Sequence, residues 1–164
     1  MNERGTQLQE TANGQISELI ALISASGEAG LRLPCPGREK LGDGTVAACA
    51  MHTADNYHRI AGFLQGQRGV GRTRIAKLLH RHRGDQHRDN YQADDIELPA
   101  LLDRLSAGRA ALSVLADLTE AQLDSVAPAS ETKFCDGQRA LQQIVTNLLH
   151  HQSHQLEALR MAIT

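Results

Sequence analysis

The stretch Leu141-Gln-Gln-Ile144-Val145-Thr-Asn-Leu148-Leu-His-His-Gln-Ser-His-Gln-Leu156-Glu-Ala-Leu159-Arg-Met-Ala-Ile163 decides the fold class. Its named apolar residues recur mainly at three- and four-residue steps, the spacing that puts side chains on one face of an α-helix. Asp136-Gly137 precedes it and marks the turn from which the helix departs. Three other stretches carry the same period. From about Gln7 to Ser26, Ile16, Leu19, Ile20 and Ile23 form one stripe, which Gly27 and Gly30 are expected to stop. Pro34 and Pro36 then keep the chain extended. A second helix opens at Asp43-Gly44-Thr45, where Asp43 or Thr45 can cap it. It runs through Val46, Ala50, Ala54, Tyr57, Ala61 and Leu64 to the glycines at 66, 69 and 71. A third follows Asp94-Asp95 and Pro99, with Leu98, Leu101, Leu102, Leu105, Leu112 and Leu115 as its stripe.

No alternating run of β-branched residues competes with these helices, so a β-rich fold is excluded. Four amphipathic helices in 164 residues bury their stripes most economically as an all-α four-helix bundle, a single domain spanning 1–164. The connections at 27–43, 66–94 and 119–136 are long, which permits crossovers. With 17 basic against 19 acidic residues, the chain lacks the charge of a dedicated polyanion binder. Aromatic residues make up 2%, too few for a base-stacking surface, so a nucleic-acid partner is not expected. No apolar run approaches a membrane span, and the N-terminus carries no signal core. Cys35, Cys49 and Cys135 are too few and too scattered for a secreted disulfide framework. A cytoplasmic protein is the expectation.

Eight histidines against two Phe and two Tyr is the unusual ratio. His150, His151 and His154 crowd the last helix, His52 and His58 lie on the second, and His80, His82 and His87 lie in the connection after it. On a helix, His150 with His154 or His151 with His154 can converge on one ion, and His52 on a neighbouring helix is the natural third imidazole. The competing reading is a set of solvated histidines favoured by a helix C-terminus. Cys49, three residues before His52, is either core packing or half of a thiolate–imidazole pair. Cys35 and Cys135 fall in loops without a base nearby in sequence. A di-iron centre of hemerythrin type wants about five histidines with bridging carboxylates; Asp55 and Glu157 could bridge, but the first and third helices supply no histidine. Residues 68–88 hold seven Lys or Arg and one acid. This segment reads as a solvated basic loop, with an anion-binding lid and a weak nucleic-acid patch as alternatives.

The stretch from Asp43 through His52 to Tyr57 resembles the second helix of the DinB-like superfamily, where a histidine follows a short apolar run. The stretch Asp136-Gly137 … His150-His151-Gln-Ser-His154 … Arg160 is similar to that family's last helix, in which a His-rich segment precedes a leucine-rich end closing in Arg. The resemblance implies a four-helix bundle, often a homodimer, holding a divalent metal on one histidine of the second helix and two ligands of the last. Some members transfer low-molecular-weight thiols such as mycothiol or bacillithiol, or isomerise with them. Aligning the double histidine and Arg160 places His151 on a ligand position and Asn147 where the family has His or Glu, so His154 supplies the third ligand. The implied site is His52, His151 and His154, with zinc, nickel or iron as the metal; the competing register pairs His150 with His154. The implied activity is a thiol S-transferase acting on a small-molecule substrate. The alternative is a non-catalytic small-molecule binding or resistance protein on the same scaffold.

Overall fold

Helix α1 (Glu3–Leu31) starts where the Asn2 side chain accepts a hydrogen bond from the Arg4 amide at 3.0 Å, satisfying one of the donors that a helix start leaves open. The computed structural model describes residues 2–67, 91–129 and 134–164. The basic segment 68–88, with His80, His82 and His87, lies outside the described residues.

Gly27 interrupts α1 as expected, with φ 68° and ψ −167°, a conformation open to glycine. The helix nevertheless resumes to Leu31, because Leu31 is buried and anchors this last turn to the core. The chain then doubles back. Cys35 N–H donates to the Gly44 carbonyl and Val46 N–H to the Leu33 carbonyl, both at 2.8 Å. Helix α2 (Val46–Gln67) is capped by Thr45, whose hydroxyl accepts from Ala48 N–H at 3.2 Å. Asp43 supports that cap by accepting from the Thr45 hydroxyl at 2.6 Å.

A single 3-10 turn at Ala93–Asp95 leads to α3 (Leu98–Ala111), with Pro99 in the first turn where its missing N–H costs nothing. The third stripe does not stay α-helical to Leu115. It tightens into a 3-10 segment, Leu112–Asp117, whose three-residue period keeps Leu112, Leu115 and then Leu118 turned inward. The connection after it contains a short helix, α4 (Glu120–Asp124), which the apolar period does not reveal. A reciprocal cap forms it: Thr119 accepts from Gln122 N–H, and the Gln122 side chain accepts from Thr119 N–H. Helix α5 (Leu141–Ile163) completes the chain. Its start is later than Asp136-Gly137 because Asp136 spends its carboxylate on a turn, accepting from Gln138 and Arg139 N–H.

The fold is all-α. Among the described residues there is no strand, only isolated antiparallel bridges at Pro34–Thr45 and Val126–Ala140. No described helix is long and apolar enough to cross a membrane. Helix α1 packs on α3, on the 3-10 segment and on α5, while α2 packs on α3 and α5, so the long helices neighbour one another in the order α1–α3–α2–α5. Arg160 of α5 forks onto the Glu18 carboxylate of α1, tying the outer edge of that pair. Inside, Tyr57 of α2 is 1% exposed and donates its hydroxyl proton to Gln15 of α1 at 2.9 Å. Gln15 donates in turn to the Leu149 carbonyl of α5 at 3.0 Å. Replacing Tyr57 by Phe removes one buried hydrogen bond from this three-helix link. We expect a loss of about 1 kcal/mol in urea unfolding. An unchanged midpoint would show that the link contributes nothing net.

Candidate functional site

Helix α2 is wedged between α3 and α5, so more than one face of it is buried. Val46, Ala47, Cys49, Ala50, Ala54, Tyr57, Ala61 and Leu64 fill the apolar core. The face turned to α5 is different. His52 and Thr53 of α2 and Gln152 and Gln155 of α5 are the buried polar side chains of the described residues. Buried polar groups cost free energy unless hydrogen-bonded, and these are connected.

Asn56 occupies the centre of the network. Its amide nitrogen lies 3.2 Å from His52 Nε2 and 3.2 Å from Gln152 Oε1, and its oxygen accepts from Arg59 at 3.1 Å. Both amide protons and the oxygen are therefore used, and His52 Nε2 is the acceptor, which places the proton of the neutral ring on Nδ1. Gln152 passes the chain on by donating to the Thr53 carbonyl at 2.8 Å. On the other side, the Tyr91 ring meets His52 edge to face at 6.1 Å. The Tyr91 hydroxyl donates to Asp55, whose second oxygen accepts from Arg104 Nε at 2.9 Å. Toward the N-terminal end of α2, Gln155 Oε1 receives Arg38 Nε at 2.5 Å and faces the Cys49 thiol at 3.7 Å.

Electrostatics set the character of this seam. Burial lowers the proton affinity of His52, and the charges of Arg59, His151 and Arg38 lower it further against the opposing pull of Asp55, leaving its pKa at about 4. His52 is thus neutral at pH 7. Among the described residues, neither Arg38 nor Arg59 meets a carboxylate within salt-bridge distance. Their partners are neutral oxygens: Gln155, Gly37 and His154 for Arg38, and Asn56 for Arg59. Asp55, the nearby acid, is already shared between Tyr91 and Arg104.

The three histidines of the implied metal site are distributed as follows. His52 is buried, although it lies off the apolar stripe of its helix. His151 is half-buried, edge-on to Phe134 at 6.5 Å, and close enough for its charge to act on His52 across the α2–α5 interface. His154 is exposed and turned to His150, with the two Nε2 atoms 3.2 Å apart. The structure brings His150 to His154 but does not assemble His52, His151 and His154 as one group. Among the described residues, no group of three or more His, Cys, Asp or Glu is disposed to hold a metal ion. Asn147 is half-buried, and His58 donates to the Arg104 carbonyl at 2.9 Å rather than facing the seam.

Sequence reasoning passed over Asn56, Gln152, Gln155, Arg38 and Tyr91. A signal existed for two of them: Gln152 and Gln155 sit at the three-residue spacing that faces one partner helix. Neither a family model, nor a curated protein, nor a solved structure matches the chain.

Proposed function

We propose that this chain is a four-helix bundle of DinB-like type that binds a small anionic molecule, a low-molecular-weight thiol among the candidates, at the seam between α2 and α5 without catalysing its reaction. The observation that carries this reading is the pair of guanidinium groups that the fold sets at the seam, Arg38 on Gln155 and Arg59 on Asn56. Their hydrogen-bond partners are neutral oxygens, and among the described residues neither meets a carboxylate within salt-bridge distance. Burial is the largest cause of the low proton affinity of His52, and Asp55 opposes the nearby positive charges, so the attraction for an anion rests on the two guanidinium groups themselves. The buried amides of Gln152 and Gln155 are placed to orient a ligand by directional hydrogen bonds.

A second reading is a divalent metal, zinc, nickel or iron, on His52 and His151 with His154 as third ligand. The packing of α2 against α5, the helices that carry His52 and His151, favours it. It requires His154 to leave His150 and turn inward. An S-transferase activity belongs to this reading, since a bound metal lowers the pKa of a coordinated thiol.

Calorimetric titration separates the two. Succinate, inorganic phosphate and glutathione are each titrated into the protein, then zinc and nickel. Saturable binding of one of the anions is expected, weakened about tenfold or more by Arg59→Ala, equivalent to ~1.4 kcal/mol. One metal ion per chain lost in both His52→Ala and His151→Ala, with no anion bound, would replace this reading by the metal site.

A further inference from the structure

On the outer face of α5 two histidines converge on each other. His150 and His154 lie one turn apart, the step that puts side chains on one face of a helix. Their Nε2 atoms are 3.2 Å apart, their ring centroids 4.6 Å, and the ring planes cross at 76°. Both residues are exposed. The backbone beneath them is held in place. Leu149, Gln152, Gln155 and Leu156 of the same stretch are buried, the Ser153 hydroxyl donates to the His150 carbonyl, and Arg38 donates to the His154 carbonyl. The two imidazoles thus stand in water on a docked helix.

We propose that His150 and His154 form a two-imidazole clamp that chelates one zinc ion on the surface of α5, with water filling the remaining positions. The separation of the nitrogens carries the argument. With zinc–nitrogen bonds of about 2.0–2.1 Å, two nitrogens 3.2 Å apart subtend roughly 100° at a shared ion, near the tetrahedral angle. Without an ion, one Nε2–H donates to the lone pair of the other Nε2. Zinc takes the place of that shared proton. The donor ring carries its proton on Nδ1 instead, where water accepts it, and both Nε2 lone pairs face the ion. Neither ring has to change its rotamer.

The ligand chemistry selects the class of ion. Arg38 reaches the His154 carbonyl at 3.3 Å, and Glu157, the acid three residues further along, is held by Arg160 at 2.5 Å. Such surroundings offer little to calcium or magnesium, which want oxygen ligands. Imidazole nitrogen suits zinc, copper and nickel. The clamp takes no ligand from α2, which separates it from a site on His52, His151 and His154. It also stands independently of the anion reading, since it needs nothing bound at the seam.

The test titrates zinc, and then magnesium, into the untagged full chain in a calorimeter. One zinc ion per chain is expected, and no saturable binding of magnesium. His150→Ala and His154→Ala should each weaken zinc about tenfold or more, because the second imidazole no longer binds at the high effective concentration that a shared helix gives it. His52→Ala, His151→Ala and joint replacement of His80, His82 and His87 by Ala should leave the affinity unchanged. In the unsubstituted protein, zinc should shield His150 and His154 together from diethylpyrocarbonate, which decides the matter even where a variant fails to fold. Full affinity in either His150→Ala or His154→Ala, loss of zinc in His52→Ala, equal binding of magnesium, one ion shared between two chains, or unslowed modification of both rings would overturn the proposal.

Discussion

Lowering the pH from 7 to 4 should cost the protein about 3 kcal/mol of stability through His52 alone. The unfolded chain binds a proton on this ring with the ordinary pKa near 6.5, whereas in the fold burial, Arg59, His151 and Arg38 hold it at about 4. Because the folded value is depressed, the stability is fully present above pH 6.5 and is lost as pH falls toward 4. At pH 4 the unfolded ring is almost fully protonated and the folded ring half so, which gives the ~3 kcal/mol. Asn56 explains why the ring has no easy escape. Its amide oxygen faces Arg59 and its protons face His52 and Gln152, so turning it to accept from an imidazolium would set an NH2 group against a guanidinium. Urea unfolding of the natural protein and of His52→Gln at pH 7 and pH 4 checks this. Carboxylates that titrate in the same range do so in both proteins, so the extra loss in the natural protein reports His52. Parallel pH dependences would mean that the ring is solvated or already protonated in the fold.

The second large effect is expected at Gly42. Gly42→Ala should destabilise by about 3 kcal/mol, whereas Gly37→Ala should cost about 1 kcal/mol. Both glycines have positive φ, +54° and +84°, so both substitutions carry backbone strain. They differ in what surrounds them. A Cβ on Gly42 would collide with the Tyr91 carbonyl oxygen and stand 2.7 Å from its carbon, while a Cβ on Gly37 meets nothing within 4 Å. The Tyr91 carbonyl cannot yield freely. It accepts from Asp43 N–H at 2.8 Å, and Asp43 in turn accepts from Ala93 N–H at 2.8 Å. Displacing this clip also displaces the Tyr91 ring from His52 and its hydroxyl from Asp55. Asparagine tolerates positive φ better than alanine, so Gly42→Asn separates the two causes. Equal losses for Ala and Asn indicate the collision; a much smaller loss for Asn would leave only strain.

Particular residues show how far the sequence carries. The buried leucines and isoleucines of α1, α3 and α5 were legible because each helix packs through one stripe, and a stripe is periodic. Helix α5 departs from its stripe: Leu149 is buried, whereas Leu148 and Ile163 are only partly so. His52 was legible as a candidate but not as a buried residue. The stripe on α2 locates one face, and the second buried face exists only because α5 packs there.

By itself, then, the sequence determined that the chain is helical, roughly where its four long helices lie and most of the apolar residues that fill the core, since these follow from periods and caps within a few turns of chain. Tertiary structure alone decided that Gln152 meets Asn56 and Thr53 and Gln155 meets Cys49 along one seam, and that Arg38 and Arg59 bring positive charge to it. It also turned His154 toward His150 instead of His52. The physical reason is range: helix formation reads neighbours three and four residues away, whereas contacts between side chains as far apart as Arg38 and Gln155 depend on how whole helices rotate and dock.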